Sequence, residues 1–269
     1  MNQKKHKAVL IRAFFLSAIA NSFGIVPLPS TTAIFAAPSM EITVSAAISL
    51  KDVLNQIAQL YRAENPETVI HFNLGASGSL QLQIEQGAPV DIFISAAPKQ
   101  MDALESEGLL LSGTRENLVK NEVVLIVPRG KTTISSFQDL THPDVKLIAI
   151  GEPQAVPAGK YAQEILAHFG LYALLKPKFV EAQDVRQVLT FVETGNVDAG
   201  IVYRTDAMTS KQVTIVAAAP ENSHSPVLYP VAVIKNSQNP SAAKAFVRFL
   251  LGAKAGAVFQ KYGFLPANR

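Results

Sequence analysis

The stretch EITVSAAISLKDVLNQIAQLY, residues 41–61, indicates the fold class. Residues 41–45 alternate polar and apolar side chains, which is the pattern of a β-strand with one buried face. From residue 49 onward the apolar side chains recur at the spacing of an amphipathic helix. A strand that passes directly into such a helix is typical of an α/β layer arrangement. The apolar positions of the predicted helix are Leu50, Val53, Leu54, Ile57 and Tyr61.

The same alternation continues to the C-terminus and predicts mostly parallel sheets flanked by helices. No Gly/Ser-rich linker divides the chain, so two lobes would have to be joined by strands. Residues 121–128 and 227–234 are the candidates, and Pro230 indicates that the second is an edge strand or a crossing segment. Further strands are expected at 69–72, 91–95, 146–150, 178–180, 199–202 and 213–217, and helices at 80–86, 98–107, 134–140, 159–168, 184–193, 241–251 and 254–262.

Composition excludes several classes of function. The 269 residues contain no Cys, which excludes disulfides, thiolate metal sites, cysteine nucleophiles and a cysteine-linked lipid anchor. The 5 His show no metal-ligand spacing such as H-E-x-x-H, so a zinc enzyme is not expected. The formal net charge is +3, but four of the 24 basic residues lie within residues 1–36, which contain no acidic residue. The remaining 20 basic residues face 21 acidic ones, so no basic surface for nucleic acid is expected.

The N-terminal residues 1–37 have the order of a secretory signal peptide. A basic segment (1–12) precedes an apolar run (13–20, AFFLSAIA), and small residues follow at 30–37. The apolar run is shorter than the ~18–20 residues that a membrane span requires. We therefore expect an exported, periplasmic mature chain that does not span the membrane.

Small and polar residues mark the junctions where a predicted strand passes into a helix. Ser49 with Asp52 three positions later resembles a capping box with Asp in place of Glu, and Asp184 begins a second capping arrangement. Residues 75–79 (GASGS) form a small-residue turn, and Pro157 suits a first helical position. Each residue could simply cap its own helix. Several helix N-termini directed at one cleft could instead bind an anion without Lys or Arg.

Seven stretches of the sequence together match one pattern. They are ITVSAAISLKDVL (42–54), GASGSLQLQIEQGAPVDIFISAAPKQMDAL (75–104), IGEPQAVPAGKYAQEIL (150–166), EAQDVRQVL (181–189), GIVYRTDA (200–207), YPVAV (229–233) and KYGF (261–264). Taken together, these stretches resemble the periplasmic molybdate-binding proteins of molybdate ABC transporters. The resemblance covers essentially the whole mature chain in the family's order. It implies a type II periplasmic binding-protein fold with two α/β lobes, a first lobe of residues 38–120 plus 230–269 and a second of residues 121–229.

The resemblance also implies a binding site built from neutral hydrogen-bond donors. The family's pattern places serine hydroxyls at Ser49 and Ser77, backbone amides at Ala158 and Val185, and a tyrosine hydroxyl at Tyr203. No cation would ligate the oxyanion directly. The chain departs from the pattern at residue 48, where Ile replaces a small residue, and at residue 78, where Gly replaces a common serine.

The sequence thus predicts a monomeric binding protein that captures molybdate, and also tungstate, and delivers it to a membrane permease. It predicts no catalysis and no cofactor. A fully deprotonated oxyanion can only accept hydrogen bonds, which suits a set of hydroxyl and amide donors. Three alternatives stay open at this point. They are a binder of sulfate or another tetrahedral oxyanion, a secreted hydrolase with Ser77 as its nucleophile, and a signalling or adhesion module that retains the fold.

Overall fold

A computed structural model describes residues 40–267. A six-stranded sheet and the helices that pack against it form the first lobe. Its strands run in the order β11-β4-β10-β3-β1-β2, and α1, α2, α3, α8 and α9 pack around them. The bounds are β1 Met40–Ala47, α1 Lys51–Glu64, β2 Thr68–Gly75, α2 Ser77–Glu85, β3 Ile92–Ile94, α3 Pro98–Ser106, β4 Glu116–Lys120, β10 Leu228–Val233, α8 Pro240–Leu250, α9 Ala253–Lys261 and β11 Leu265–Pro266.

A five-stranded sheet with its own helices forms the second lobe. Its strands run in the order β7-β6-β8-β5-β9, and α4 and α6 pack closely on β6 and β8. The bounds are β5 Val123–Pro128, β6 Ile148–Gly151, α4 Pro157–His168, α5 Tyr172–Leu175, β7 Phe179–Ala182, α6 Val185–Glu193, β8 Ala199–Tyr203, α7 Arg204–Ala207 and β9 Val213–Ala218.

The α/β fold with two sheets is confirmed, but the sheets are mixed rather than mostly parallel. The pairs β1–β2, β1–β3, β6–β7 and β6–β8 are parallel. The strands next to the crossings, β4, β5 and β10, pair antiparallel with their neighbours. β10, which returns from the second lobe, runs against β3 and β4, and β5, the first strand of the second lobe, runs against β8 and β9.

The chain passes between the two sheets twice. It crosses first at residues 121–122, between β4 and β5, and again between β9 and β10. Of the two alternatives that Pro230 indicated, the edge strand is wrong, because β10 lies between β3 and β4, and the crossing segment agrees with the structure, because β10 directly follows the second crossing. The register shifts between Tyr229 and Pro230, and this bulge accommodates the missing proline N–H inside the sheet.

Most predicted elements lie within a few residues of the observed ones. The predicted helix at 134–140 is wrong except for a short 3₁₀ turn, Gln138–Thr141. The strands β4 and β11 and the short helix α5 were not predicted. The predicted signal segment, 1–37, lies outside the described residues. Between residues 40 and 267, no helix combines the length and the apolar character that crossing a bilayer requires.

Candidate anion-binding site

The structure brings all five sequence-predicted site residues to one small cavity. Ser49, Ser77, Ala158, Val185 and Tyr203 line one small cavity. Each of the five is buried, with at most 4% of its surface exposed. The cavity is far smaller than the pockets of roughly 300–1,000 Å³ that hold drug-sized ligands, so a ligand there is limited to a few atoms.

The five residues converge because each follows a different strand. Ser49 and Ser77 follow β1 and β2 in the first lobe, whereas Ala158, Val185 and Tyr203 follow or end β6, β7 and β8 in the second. Ligands of open α/β sheets bind in the crevice outside the carboxyl ends of the strands, and two such crevices face each other here. The other lining residues are Ala47, Ile48, Gly75, Ala76, Ala96, Val156 and Pro157.

Backbone N–H groups at three helix starts lie at the cavity. Ser77 and Val185 are the first residues of α2 and α6, and Ala158 is the second residue of α4, after Pro157. The first N–H groups of an α-helix have no acceptor within their own helix, and they carry the positive end of its dipole. These starts therefore favour an anion in the cavity.

The Ser77 hydroxyl accepts one hydrogen bond and keeps its proton free. Ala96 donates its backbone N–H to Ser77 Oγ over 2.9 Å. A serine hydroxyl carries one proton and two lone pairs, so Ser77 can still donate to a ligand. Neither a histidine nor a carboxylate is hydrogen-bonded to Ser77 among residues 40–267, so the geometry does not support the hydrolase alternative.

The predicted capping box at Ser49 was wrong. Ser49 lies in the 3₁₀ turn Ile48–Leu50, and no side chain caps α1. Its Oγ lies 3.0 Å from the Tyr229 hydroxyl, and Asp52 pairs with Arg186 over 2.8 Å. The β1–α1 junction thus directs the serine toward the cavity and the carboxylate toward the second lobe.

The carboxylates near the cavity are turned away from it. Asp184 accepts the N–H of Gln187 over 2.9 Å, so the second predicted cap is confirmed. Glu152 accepts the backbone N–H groups of Gln154 and Ala155 in the loop before α4. Among the described residues that line the cavity there is no Asp, Glu, Lys or Arg.

Tyr203 supplies a buried hydroxyl at the second-lobe side of the cavity. Within the described part of the chain, its oxygen makes no hydrogen bond of acceptable distance and angle. Burial raises the pKa of Tyr203 well above its ordinary value, so the hydroxyl keeps its proton at neutral pH. An unpaired buried hydroxyl costs about 1–3 kcal/mol, which a ligand that accepts from it would recover.

A group of charges next to the cavity joins the two lobes. Arg186, the neighbour of Val185, donates from Nε to the fully buried Asp206 and from Nη2 to Asp52 on α1. Burial raises the pKa of Asp206 to about 6, against the opposing effect of Arg186. The arginine is held by its own carboxylates and so does not supply charge to the cavity.

Sequence reasoning missed the residues behind the site. Tyr229 contacts Ser49, and Asn121 contacts Tyr229 and Thr205. Asn121 does begin the first crossing segment, and Tyr229 precedes the proline of the second. Because their partners are 84 to 180 residues distant in sequence, no local pattern could have assigned them.

The two sheets meet at a cavity whose described lining residues include no histidine and no carboxylate, which fits a solute-binding protein better than an enzyme. The profile of the family described as bacterial extracellular solute-binding protein matches residues 42–265, and the chain belongs to this family. It is 44% identical over 224 residues to YvgL of Bacillus subtilis, which is provisionally named an ABC transporter substrate-binding lipoprotein. That match covers 83% of this chain and 85% of YvgL.

Two further comparisons agree with this assignment. The chain is 38% identical over 233 residues to the molybdate-binding protein ModA of Haemophilus influenzae, which covers 85% of this chain and 91% of ModA. The structure of the periplasmic molybdate-binding protein of Azotobacter vinelandii superposes with a TM-score of 0.78 at 25% identity. The match covers 84% of this chain and 100% of that one. The type II periplasmic binding-protein fold is thereby confirmed.

Proposed function

We propose that this chain captures molybdate, and also tungstate, outside the cytoplasm and delivers it to the membrane permease of an ABC transporter. The observation that carries the proposal is the cavity's set of neutral donors, with no carboxylate or cation among those lining residues that the structure describes. Molybdate at neutral pH is a tetrahedral dianion without a proton, so each hydrogen bond it makes is one that it accepts. The names of the Haemophilus and Azotobacter relatives support the same ligand.

The proposed ligand donors are Ser49 Oγ, Ser77 Oγ, the backbone N–H groups of Ala158 and Val185, and Tyr203 Oη. Hydrogen bonds to a charged group are worth about 1.5–3 kcal/mol each. Micromolar affinity requires roughly 8 kcal/mol, and five converging donors supply about 7.5–15 kcal/mol before offsets, which covers this range. Because the donors come from both lobes, the bound anion favours the closed arrangement over an open one.

The proposal includes an export signal at residues 1–37 and a monomeric mature chain without a cofactor. The chain has no Cys, so it lacks the attachment point of a cysteine-linked lipid anchor. We also propose the lobe boundaries expected from the sequence, 38–120 plus 230–269 and 121–229. Sheet membership supports the first boundary, because β4 ends at Lys120 and β5 begins at Val123, whereas β10 of the first-lobe sheet begins at Leu228, two residues before the second boundary.

Calorimetric titration of the exported chain with molybdate, tungstate, sulfate and phosphate tests the function. We expect heat of binding from molybdate and tungstate and none from the two smaller anions. Binding of sulfate without binding of molybdate would refute the proposed ligand and favour the other-oxyanion alternative. Absence of binding by all four anions would favour a module that retains only the fold.

A further inference from the structure

We propose that Asn121 and Tyr229 are positioning residues that hold the Ser49 hydroxyl as a donor toward the cavity. In this way they make the site select an oxyanion that carries no proton. The inference rests on the proposed function and adds two residues to its mechanism. Neither residue lines the cavity, and both are buried.

The orientation of the Asn121 side chain follows from one contact. The backbone N–H of Glu122 lies 2.9 Å from Asn121 Oδ1, and a backbone N–H can only donate. The amide oxygen is therefore fixed there, and the Nδ2 group faces the other way. Its two protons point to Thr205 Oγ1 at 2.8 Å and to the Tyr229 hydroxyl at 3.3 Å.

Tyr229 consequently accepts from one side and donates to the other. Its oxygen receives the Asn121 proton. Either hydroxyl of the Tyr229–Ser49 pair, 3.0 Å apart, can donate, and we assign the donor to Tyr229 because a buried phenol proton without an acceptor is costly. Burial raises the pKa of Tyr229 far above its ordinary value, so this proton is retained at neutral pH. Tyr229 is fully buried, so water does not compete for the proton.

Ser49 then accepts one hydrogen bond, and its single proton is free to point into the cavity. The arrangement matches that of Ser77, whose oxygen accepts the Ala96 N–H. Both serines can therefore present a proton to the ligand. Hydrogen phosphate keeps a proton that needs an acceptor, and each serine has only one lone pair left to offer it, so both serines favour an oxyanion without a proton.

A double-mutant cycle tests whether Tyr229 acts through Ser49. Tyr229→Phe, Ser49→Ala and the double variant are titrated with molybdate at neutral pH. We expect Tyr229→Phe to weaken binding about 2- to 10-fold in the wild-type background, as for the loss of one hydrogen bond, and to have no effect after Ser49→Ala. In the matched control background, Ser77→Ala, Tyr229→Phe should keep its full effect.

If Tyr229→Phe weakened molybdate binding equally in the Ser49→Ala and Ser77→Ala backgrounds, the inference would be overturned, because Tyr229 would then only support the fold. Absence of any effect in the wild-type background would overturn it as well. If wild-type protein binds sulfate and not molybdate, the proposed function fails, and the cycle run with sulfate still decides the inference. If it binds neither, both fail.

Asn121→Asp provides a second test that does not depend on Tyr229→Phe folding. A carboxylate at this position would accept from Tyr229, and Ser49 would then donate to Tyr229 and show a lone pair to the cavity. Molybdate and hydrogen phosphate are both dianions, so the added charge repels them alike and cancels in their affinity ratio. We expect the preference for molybdate over hydrogen phosphate to fall about 10-fold, as for one hydrogen bond lost and one gained. An unchanged ratio would overturn the inference.

Discussion

Gly78 donates its backbone N–H to the carbonyl oxygen of Ala155 over 2.9 Å, and this bond joins the two lobes beside the cavity. Gly78 lies in the first turn of α2, and Ala155 lies in the loop before α4. A Cβ atom at Gly78 would be 2.6 Å from that oxygen and 2.8 Å from Ala155 Cα. The glycine that departs from the family's common serine thus permits the close approach of the lobes seen here.

Gly78→Ala should therefore weaken molybdate binding by hindering closure. Overpacking of this kind costs about 1–3 kcal/mol, which corresponds to a loss of roughly 5- to 150-fold in affinity. Titration calorimetry measures the loss. Gly256→Ala is the matched control, because a Cβ there meets nothing within 4 Å and the residue lies within α9. Wild-type affinity in Gly78→Ala would show that closure does not need this contact.

Ser49→Ala and Ser77→Ala should each weaken molybdate binding by about 1–3 kcal/mol, because each removes one donor to a charged ligand. The affinities are measured by the same titration. Ser106→Ala serves as a control, since Ser106 is an exposed residue at the end of α3 whose hydroxyl donates to the Ala103 carbonyl in its own helix. Unchanged affinity in both site variants would refute the assignment of the site.

The fold was largely predictable because its helices and buried strands carry local apolar periodicity. The strand β4, residues 116–120 (ENLVK), lacks such a pattern and exists through its pairing with β10 and β11, which lie more than a hundred residues away. Whether neighbouring strands pair parallel or antiparallel also depends on distant parts of the chain. Strand alternation predicts parallel neighbours, whereas the two crossings reverse β5 and β10.

The role of a site residue was predictable where the residue and its hydrogen-bond partner lie within the same short motif. Asp184 caps its own helix as the sequence indicates, since its partner Gln187 is three residues away. Ser49 and Asp52 have the same spacing, yet tertiary partners on β10 and α6 replace the local cap. A short polar pattern therefore predicts a helix start but not the atom to which the side chain bonds.

Tyr203→Phe should separate ligand binding from the stability of the ligand-free protein. The variant removes a buried hydroxyl that has no hydrogen-bond partner among the described residues, so the ligand-free fold should gain stability or keep it. Molybdate binding should weaken by about 1 kcal/mol, since one donor is lost. Thermal unfolding with and without molybdate measures both effects.

The control for this variant is Tyr229→Phe. It loses the contacts to Ser49 and Asn121 and should lower the stability of the ligand-free protein. If Tyr203→Phe destabilised the ligand-free protein as much as Tyr229→Phe does, the Tyr203 hydroxyl would have a structural partner and would not be a free donor to the anion.

Asp52→Asn should loosen the closed arrangement by removing an ion pair that crosses between lobes. The Asp52 side chain is 40% exposed, so the pair with Arg186 is worth at most about 1 kcal/mol. We expect molybdate affinity to fall up to about 5-fold and to depend less on salt than in the wild type. Glu64→Gln is the control, because its pair with Lys254 joins α1 and α9 within the first lobe. An equal loss in both variants would contradict a role in closure.

Asp206 should give the stability of the ligand-free protein a specific pH dependence. Burial raises its pKa from the ordinary value of 3.8 to about 6. Between these values the folded chain holds a proton that the unfolded chain has released, so the free energy of unfolding should fall as pH rises through the window. Above about 6 this contribution should be constant.

Urea unfolding across that window measures the slope, and Asp206→Asn should remove it because the amide does not titrate. Asp198 provides an internal contrast. Partial burial alone would raise the pKa of Asp198, but Lys131 and two backbone N–H groups outweigh that effect and lower it. Ionisation of Asp198 therefore increases the free energy of unfolding as pH rises, but only at pH values below 3.8. If the slope between 3.8 and about 6 survived in Asp206→Asn, Arg186 would hold Asp206 ionised in the folded protein, and the carboxylate would not be the group that titrates.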